Sequence, residues 1–297
     1  MSTRTRGILL ILLAAVMWSL GGVLIKATRG NPAAVATWRS LFAGAFLVLV
    51  MVARRTRPTD RVRLVLLGLT YAGTMFGFVI ATRLTTAAAA IALQYTAPVW
   101  VLIFGMLLLR EAPRAAQLPA FALCGVGTAL FFLEDVPREG MTGNVLALFS
   151  GVCFGLMMIA ARSMRRTSSI TLACAGNLVA AGVMACGTLF WSGLRFEAAP
   201  QLDRLALDGR DLAVTAVMGV VQIGIPYAIF SRGIRYVKAY EASVLGLTEP
   251  MLNPVWVLLI HREVPSAWTI GGAVLILSGI LFVALPERKK AIPPPPD

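Results

Sequence analysis

Ten apolar runs, each closed off by charge or turn residues, fill this 297-residue chain. They fall at about 8–28, 33–53, 63–82, 87–109, 115–133, 142–161, 168–192, 211–231, 239–260 and 266–285. A helix needs about 20 largely apolar residues to cross the hydrocarbon core of a bilayer. Inside that core every backbone N–H and C=O has to be satisfied within the segment, which makes runs of this kind helices. Composition agrees: 58% of residues are apolar, 14% are charged and the mean hydropathy is +0.79. Soluble domains run nearer 45–50% apolar and about 25% charged, so a soluble or disordered chain is excluded. The first run follows MSTRTRG and continues to about residue 27. It lacks the short apolar core and cleavage site of a signal peptide and reads as a permanent helix. The last residues, 287–297, are charged and then proline-rich, which predicts a disordered tail.

The net charge of +13 would suggest nucleic acid in a soluble protein. Its distribution argues otherwise. With the N-terminus placed in the cytoplasm, 18 Lys/Arg fall in inside segments and eight outside: Lys26, Arg29, Arg83, Arg138, Arg195, Arg204, Arg210 and Arg262. That bias fits ten spans with both termini cytoplasmic, in a bacterial-type inner membrane. The expected partners are the bilayer and a small-molecule substrate, with a monomer as the working unit and no nucleic acid. Cys124, Cys153, Cys174 and Cys186 lie in apolar runs without a CxxC pair, and His261 is the one histidine. No metal and no cofactor is expected. The chain has no GxSxG, Walker A or GxGxxG motif, so it does not read as an enzyme.

The chain also repeats itself. A shift of 152 residues pairs Arg83 with Arg235, Ala87 with Ala239, Leu93 with Leu245, Thr96 with Thr248 and Pro98 with Pro250. It continues through Arg110/Arg262, Glu111/Glu263, Pro113/Pro265 and Gly127/Gly279. A shift of 136 lays AAVMWSLGGVLIKATR over SGVCFGLMMIAARSMR. Two five-helix halves result, 1–137 and 138–286. Five is odd, so the second half enters the membrane from the opposite side. The predicted fold is all-α, ten transmembrane helices as two inverted five-helix repeats, the arrangement of secondary transporters whose substrate site lies near the midplane.

Polar and helix-breaking residues at mid-span then mark the candidate site. Glu249 lies about ten residues from either end of its run, where a carboxylate is costly unless it meets a partner or a cavity. Asn253 and Trp256 follow at i+4 and i+7 on the same face. In the other half, Gln94 and Tyr95 precede Pro98, with Trp100 beyond. Both prolines remove a backbone donor and leave a carbonyl to be satisfied by a side chain, water or substrate. Trp18 interrupts the aliphatic first span, Tyr71, Met75 and Phe78 form a stripe in the third, and Gln222 and Tyr227 are polar elements of the eighth. These twelve are the candidate substrate-binding residues; each is also compatible with helix packing. Arg39 lies near the start of the second span and reads two ways, snorkelling to the outer surface or facing a substrate carboxylate. Arg110-Glu111 and Arg262-Glu263 read as interfacial ion pairs, loop clamps or gate elements.

AAVMWSLGGVLIKA in the first span, TWRSLFAG in the second and LLLRE and LLIHRE closing the fourth and ninth carry a resemblance. Together with glycine-rich fifth and tenth spans, they make the chain similar to the ten-helix EamA-type branch of the drug/metabolite transporter superfamily. The resemblance covers nearly the whole chain. It implies outward movement of small metabolites, with the bacterial aromatic amino-acid exporters as the nearest type by size and pattern. The expected function is therefore export of amino acids, aromatic or otherwise amphipathic, by alternating access. The alternatives are a drug or nucleotide-sugar transporter of the same fold and a membrane scaffold without transport. A scaffold needs no polar residues at matched depth in both halves, and this chain has them.

Overall fold

The computed structural model describes residues 2–55, 61–110, 118–133, 138–164, 167–190, 205–237, 242 and 245–284. Among them every regular element is helical: α1 Thr3–Ser19, α2 Gly21–Ala27, α3 Pro32–Ala53, α4 Arg61–Leu84, α5 Ala87–Gln94, α6 Ala97–Leu109, α7 Leu118–Leu133, α8 Arg138–Ser163, α9 Ser169–Phe190, α10 Gly209–Val217, α11 Ile225–Gly233, α12 Thr248–His261 and α13 Ala267–Ala284. A π-helical segment, Met218–Gly224, joins α10 to α11. These elements occupy the ten expected runs, with spans one, four and eight each divided. Among the described residues, seven helical stretches are long and apolar enough to cross a membrane, and Pro119–Leu133 and Ala267–Leu281 are apolar but shorter. The ninth run is represented by α12, because most of residues 238–244 lie outside the described set, as does the expected tail.

The helices start where the side chains dictate. Asn31 caps α3 by accepting from the Ala33 N–H at 2.9 Å, with Pro32 at the first position, where its missing donor costs nothing. Thr86 caps α5 through the Ala89 N–H at 3.1 Å, and Asp208 caps α10 through the Asp211 N–H at 2.6 Å.

The packing is that of two inverted five-helix repeats. The third span (α4) packs on the sixth (α8), and the eighth (π segment and α11) packs on the first (α1). The fourth (α5, α6) packs on the sixth, and the ninth (α12) packs on the first. The second and seventh (α3, α9) meet each other, as do the fifth and tenth (α7, α13). Exchanging each span with the one five places later therefore returns the same contacts. Local geometry repeats too. The break in the fourth span at Tyr95–Thr96 falls, 152 residues on, at the turn Leu247 that precedes α12. Arg110 and Arg262, paired at the same shift, both close their helices in the left-handed region, at φ 54° and 55°.

Small residues bring the helices together, as expected where lipid offers no hydrophobic drive between them. A Cβ on Gly127 would stand 2.8 Å from the Gly272 carbonyl oxygen, and a Cβ on Gly272 would stand 2.8 Å from that of Gly127. That reciprocal contact locks the fifth and tenth spans. The main buried cluster gathers Tyr71, Phe78, Ile91, Leu93, Leu247 and Ile276 from both halves.

Candidate functional site

Interrupted helices surround the middle of the bundle. In the first span the helix breaks at Leu20, where Ser19 Oγ donates to the Val16 carbonyl at 2.6 Å. In the fourth, Pro98 brings no N–H, and Thr96 answers the disturbed backbone by donating through its hydroxyl to the Leu93 carbonyl at 2.7 Å. The eighth relaxes into a π-helix just before Pro226, a form that recurs at functional sites. The ninth restarts at Thr248, which places Glu249 and Pro250 in the first turn of α12.

Side chains at these breaks cross between the halves. Tyr95 Oη donates to Glu249 Oε2 at 2.8 Å, joining the fourth span to the ninth. Gln222 Nε2 donates to the Trp18 carbonyl at 2.9 Å, and Trp256 Nε1 donates to Ser19 Oγ at 2.8 Å. The Trp18 ring stands edge-on to Tyr227 with centroids 5.2 Å apart and lies 5.3 Å from Phe230. Tyr95 meets Phe154 at 6.5 Å. Asn177 Nδ2 donates to Tyr71 Oη at 3.1 Å. Asn177, the lone polar residue in the middle of the seventh span, is expected from the sequence to bond a neighbouring helix and does so through Tyr71. Ser19 interrupts the first span beside Trp18, and Phe154 is Trp18's partner in the 136-residue repeat.

Of the twelve candidate residues, Trp18, Tyr95, Gln222, Tyr227, Glu249 and Trp256 meet at these breaks. Tyr71 and Met75 line one face of α4, with Met75 on Arg39, and Asn253 packs against Gly22 just past the break in the first span. Phe78 packs in the main buried cluster, close to Gly21 and the Gln222 amide. Gln94 and Trp100 turn elsewhere. Gln94 Nε2 donates to Ser150 Oγ at 2.8 Å in the α5–α8 contact, and Trp100 Nε1 donates to Thr96 Oγ1 at 3.1 Å while its ring stacks on Phe104. Arg39 is 3% exposed and points inward: its Nη2 donates to Met75 Sδ at 3.1 Å, so it does not snorkel.

The centre has polar atoms to spare. Both amide atoms of Asn253, Oε1 of Gln222, and Nε and Nη1 of Arg39 are buried without a hydrogen-bond partner. Native interiors pair nearly all such groups, so several together mark a place where water or ligand completes the set. Glu249, Tyr95, Trp18 and Tyr227 are only partly buried at mid-span, as groups lining a space would be. No cluster of His, Cys, Asp or Glu among the described residues could hold a metal.

One end of the bundle is cross-tied. Glu263 Oε2 pairs with Lys26 Nζ at 2.6 Å, while Glu263 Oε1 accepts from the Ala87 N–H at 2.7 Å. Lys26 also donates to the Thr85 carbonyl at 3.2 Å, and Arg83 donates to the Thr28 carbonyl at 2.7 Å. Asp211 Oδ2 accepts from the N–H groups of Arg29 and Gly30 at 2.8 and 2.6 Å. Spans one, three, four, eight and nine are all held here. Glu263 thus pairs across to the first span instead of with its neighbour Arg262; Glu111 lies outside the described residues. At the other end a cavity of about 600 Å³ opens among Arg54, Ser168, Ser231, Arg232 and Arg235.

Comparison with known proteins agrees with this architecture. The sequence profile of the EamA-like transporter family matches residues 5–133 and again 141–285. An "Uncharacterized transporter" of Archaeoglobus fulgidus is 26% identical over 92% of this chain and 94% of its own length. The "Uncharacterized inner membrane transporter YicL" of Salmonella typhimurium is 26% identical over 98% and 99%. Human "Solute carrier family 35 member G1" is 20% identical over 94% and 79%. A solved crystal structure shares the fold at a TM-score of 0.63 and 20% identity, covering 94% of this chain and 97% of that one.

Proposed function

The chain belongs to the EamA-like transporter family, and we propose that it exports small amphipathic metabolites, amino acids above all, across a bacterial inner membrane by alternating access. The Tyr95–Glu249 hydrogen bond carries the reading: it joins the two inverted halves at mid-depth, among interrupted helices and beside unpartnered polar atoms. Inverted-repeat transporters place their cargo at such a point. Trp18, Tyr227 and Phe230 supply an apolar aromatic wall. Glu249, Tyr95, Asn253 and Gln222 supply the few polar groups that orient a ligand.

With both termini cytoplasmic, the Lys26–Glu263 end faces outward and the arginine-lined cavity faces the cytoplasm. The structure then corresponds to a state closed to the outside. Rocking of the halves breaks the outer ties and opens the centre outward. Glu249 acts mainly as a polar wall residue, and a monomer is the working unit.

The test is a panel of labelled metabolites offered to the purified protein in liposomes. Amino acids are expected to be moved, and Tyr95→Ala and Asn253→Ala are each expected to cut flux at least several-fold at unchanged expression. Wild-type flux in both variants would refute the site, and absence of flux for every amino acid would refute the substrate class.

A further inference from the structure

Arg39 is the eighth residue of α3, about 10 Å from the helix start at ~1.5 Å per residue. At that depth a guanidinium has to be held by partners. It is 3% exposed, its Nε and Nη1 have none, and its Nη2 bond goes to a thioether sulfur, a weak acceptor. The polar groups around it are engaged with one another. Asn177 donates to Tyr71, and Glu249 accepts from Tyr95. Arg39 and the Glu249 carboxyl, both contributed to the interior of the bundle, form no ion pair among the described residues. A guanidinium and a carboxyl group thus stand within the bundle without pairing to each other.

A structural arginine would close that gap, because an unpaired buried charge is costly. A guanidinium left open is a planar fork of donors that matches a carboxylate. A cargo that carries both a carboxylate and an ammonium group offers a partner to each. We propose that Arg39 receives the carboxylate of the cargo while Glu249 faces its ammonium group, so that the site selects free amino acids over the corresponding amides and amines. This rests on the transporter reading above and deepens it: Arg39 becomes the specificity-determining residue, contributed by the second span.

The experiment compares wild type, Arg39→Gln and Arg39→Lys, all full-length. The probes are alanine, leucine and phenylalanine, each against its amide, which keeps the ammonium group and side chain and lacks the carboxylate. Binding is read as thermal stabilisation of the purified protein, and flux is read separately in liposomes. Wild type is expected to be stabilised by at least one acid and by none of the amides at equal concentration. Arg39→Gln is expected to weaken binding of that acid about 10- to 100-fold, the worth of a hydrogen bond to a charged group. Arg39→Lys is expected to recover part of the loss. Unliganded Arg39→Gln is expected to melt no lower than wild type, since it sheds an unpaired charge.

Unchanged acid binding in Arg39→Gln would overturn the proposal. So would a lower melting temperature with acid and amide weakened equally, which is the mark of a structural arginine, and so would wild type that binds none of the acids. Acid binding that depends on Arg39 but comes with no flux would leave the carboxylate site standing and remove the transport reading alone.

Discussion

Loosening the outer ties at Glu263 is expected to expose the centre of the bundle to the outside by an amount the geometry sets. Glu263 makes two bonds there, one to Lys26 Nζ at 2.6 Å and one to the Ala87 N–H at 2.7 Å. The ion pair is partly exposed, 17% and 21% for the two side chains, so it contributes only about 0–1 kcal/mol. The bond to the start of α5 acts as a helix cap and contributes about 1 kcal/mol. Glu263→Ala therefore removes about 1–2 kcal/mol from the closed state, a factor of roughly 5–30 in the open population. Glu263→Gln keeps an acceptor for Ala87 and loses only the ion pair, a factor of at most about 5. The reporter is Met75→Cys in a Cys186→Ser background, because Cys124, Cys153 and Cys174 are buried. The reading is its rate of modification by a membrane-impermeant maleimide added outside intact cells. A rise of roughly 5–30-fold in Glu263→Ala and a smaller rise in Glu263→Gln are expected. A rate unchanged within about twofold in Glu263→Ala, or equal rates in the two variants, would refute the assignment of Glu263 to an outer seal.

Cysteines placed at Thr142 are expected to label from outside and those at Thr167 only after permeabilisation; the reverse would invert the orientation. Gly127→Ala drives a methyl group into the Gly272 carbonyl and is expected to cost about 1–3 kcal/mol, read as a lower melting temperature, with no change marking a looser contact between the fifth and tenth spans. Glu249→Gln, measured for proton-driven flux and for exchange, separates three roles: loss of proton-driven flux alone marks a coupling carboxylate, loss of both marks an ammonium contact, and survival of both marks a brace for the helix break. Loss of both is the expected result.

The architecture was legible because bilayer physics leaves few choices. Run length gave the spans, and the 152-residue repeat gave their inversion. The paired prolines located the interruption at Tyr95–Thr96 and its counterpart at Leu247. Which way a side chain faces was less legible. In a soluble helix the polar face reveals the buried one, but in α3 both lipid and protein sides are apolar, so nothing in TWRSLFAG separates an inward Arg39 from a snorkelling one. The same ambiguity hid the turn of Gln94 toward Ser150. Glu263 found its partner in Lys26, in the other half of the chain, where local spacing points to Arg262. The π-helix at Met218–Gly224 had only Gln222 and Pro226 to signal it.

The most direct measurement is protection of Met75→Cys by cargo in the purified protein. If amino acids occupy the centre between the halves, the one that is moved fastest slows modification of this cysteine, with half-protection at the concentration that gives half-maximal exchange. Modification at the full rate while exchange is saturated would show that cargo passes elsewhere, and would contradict the account.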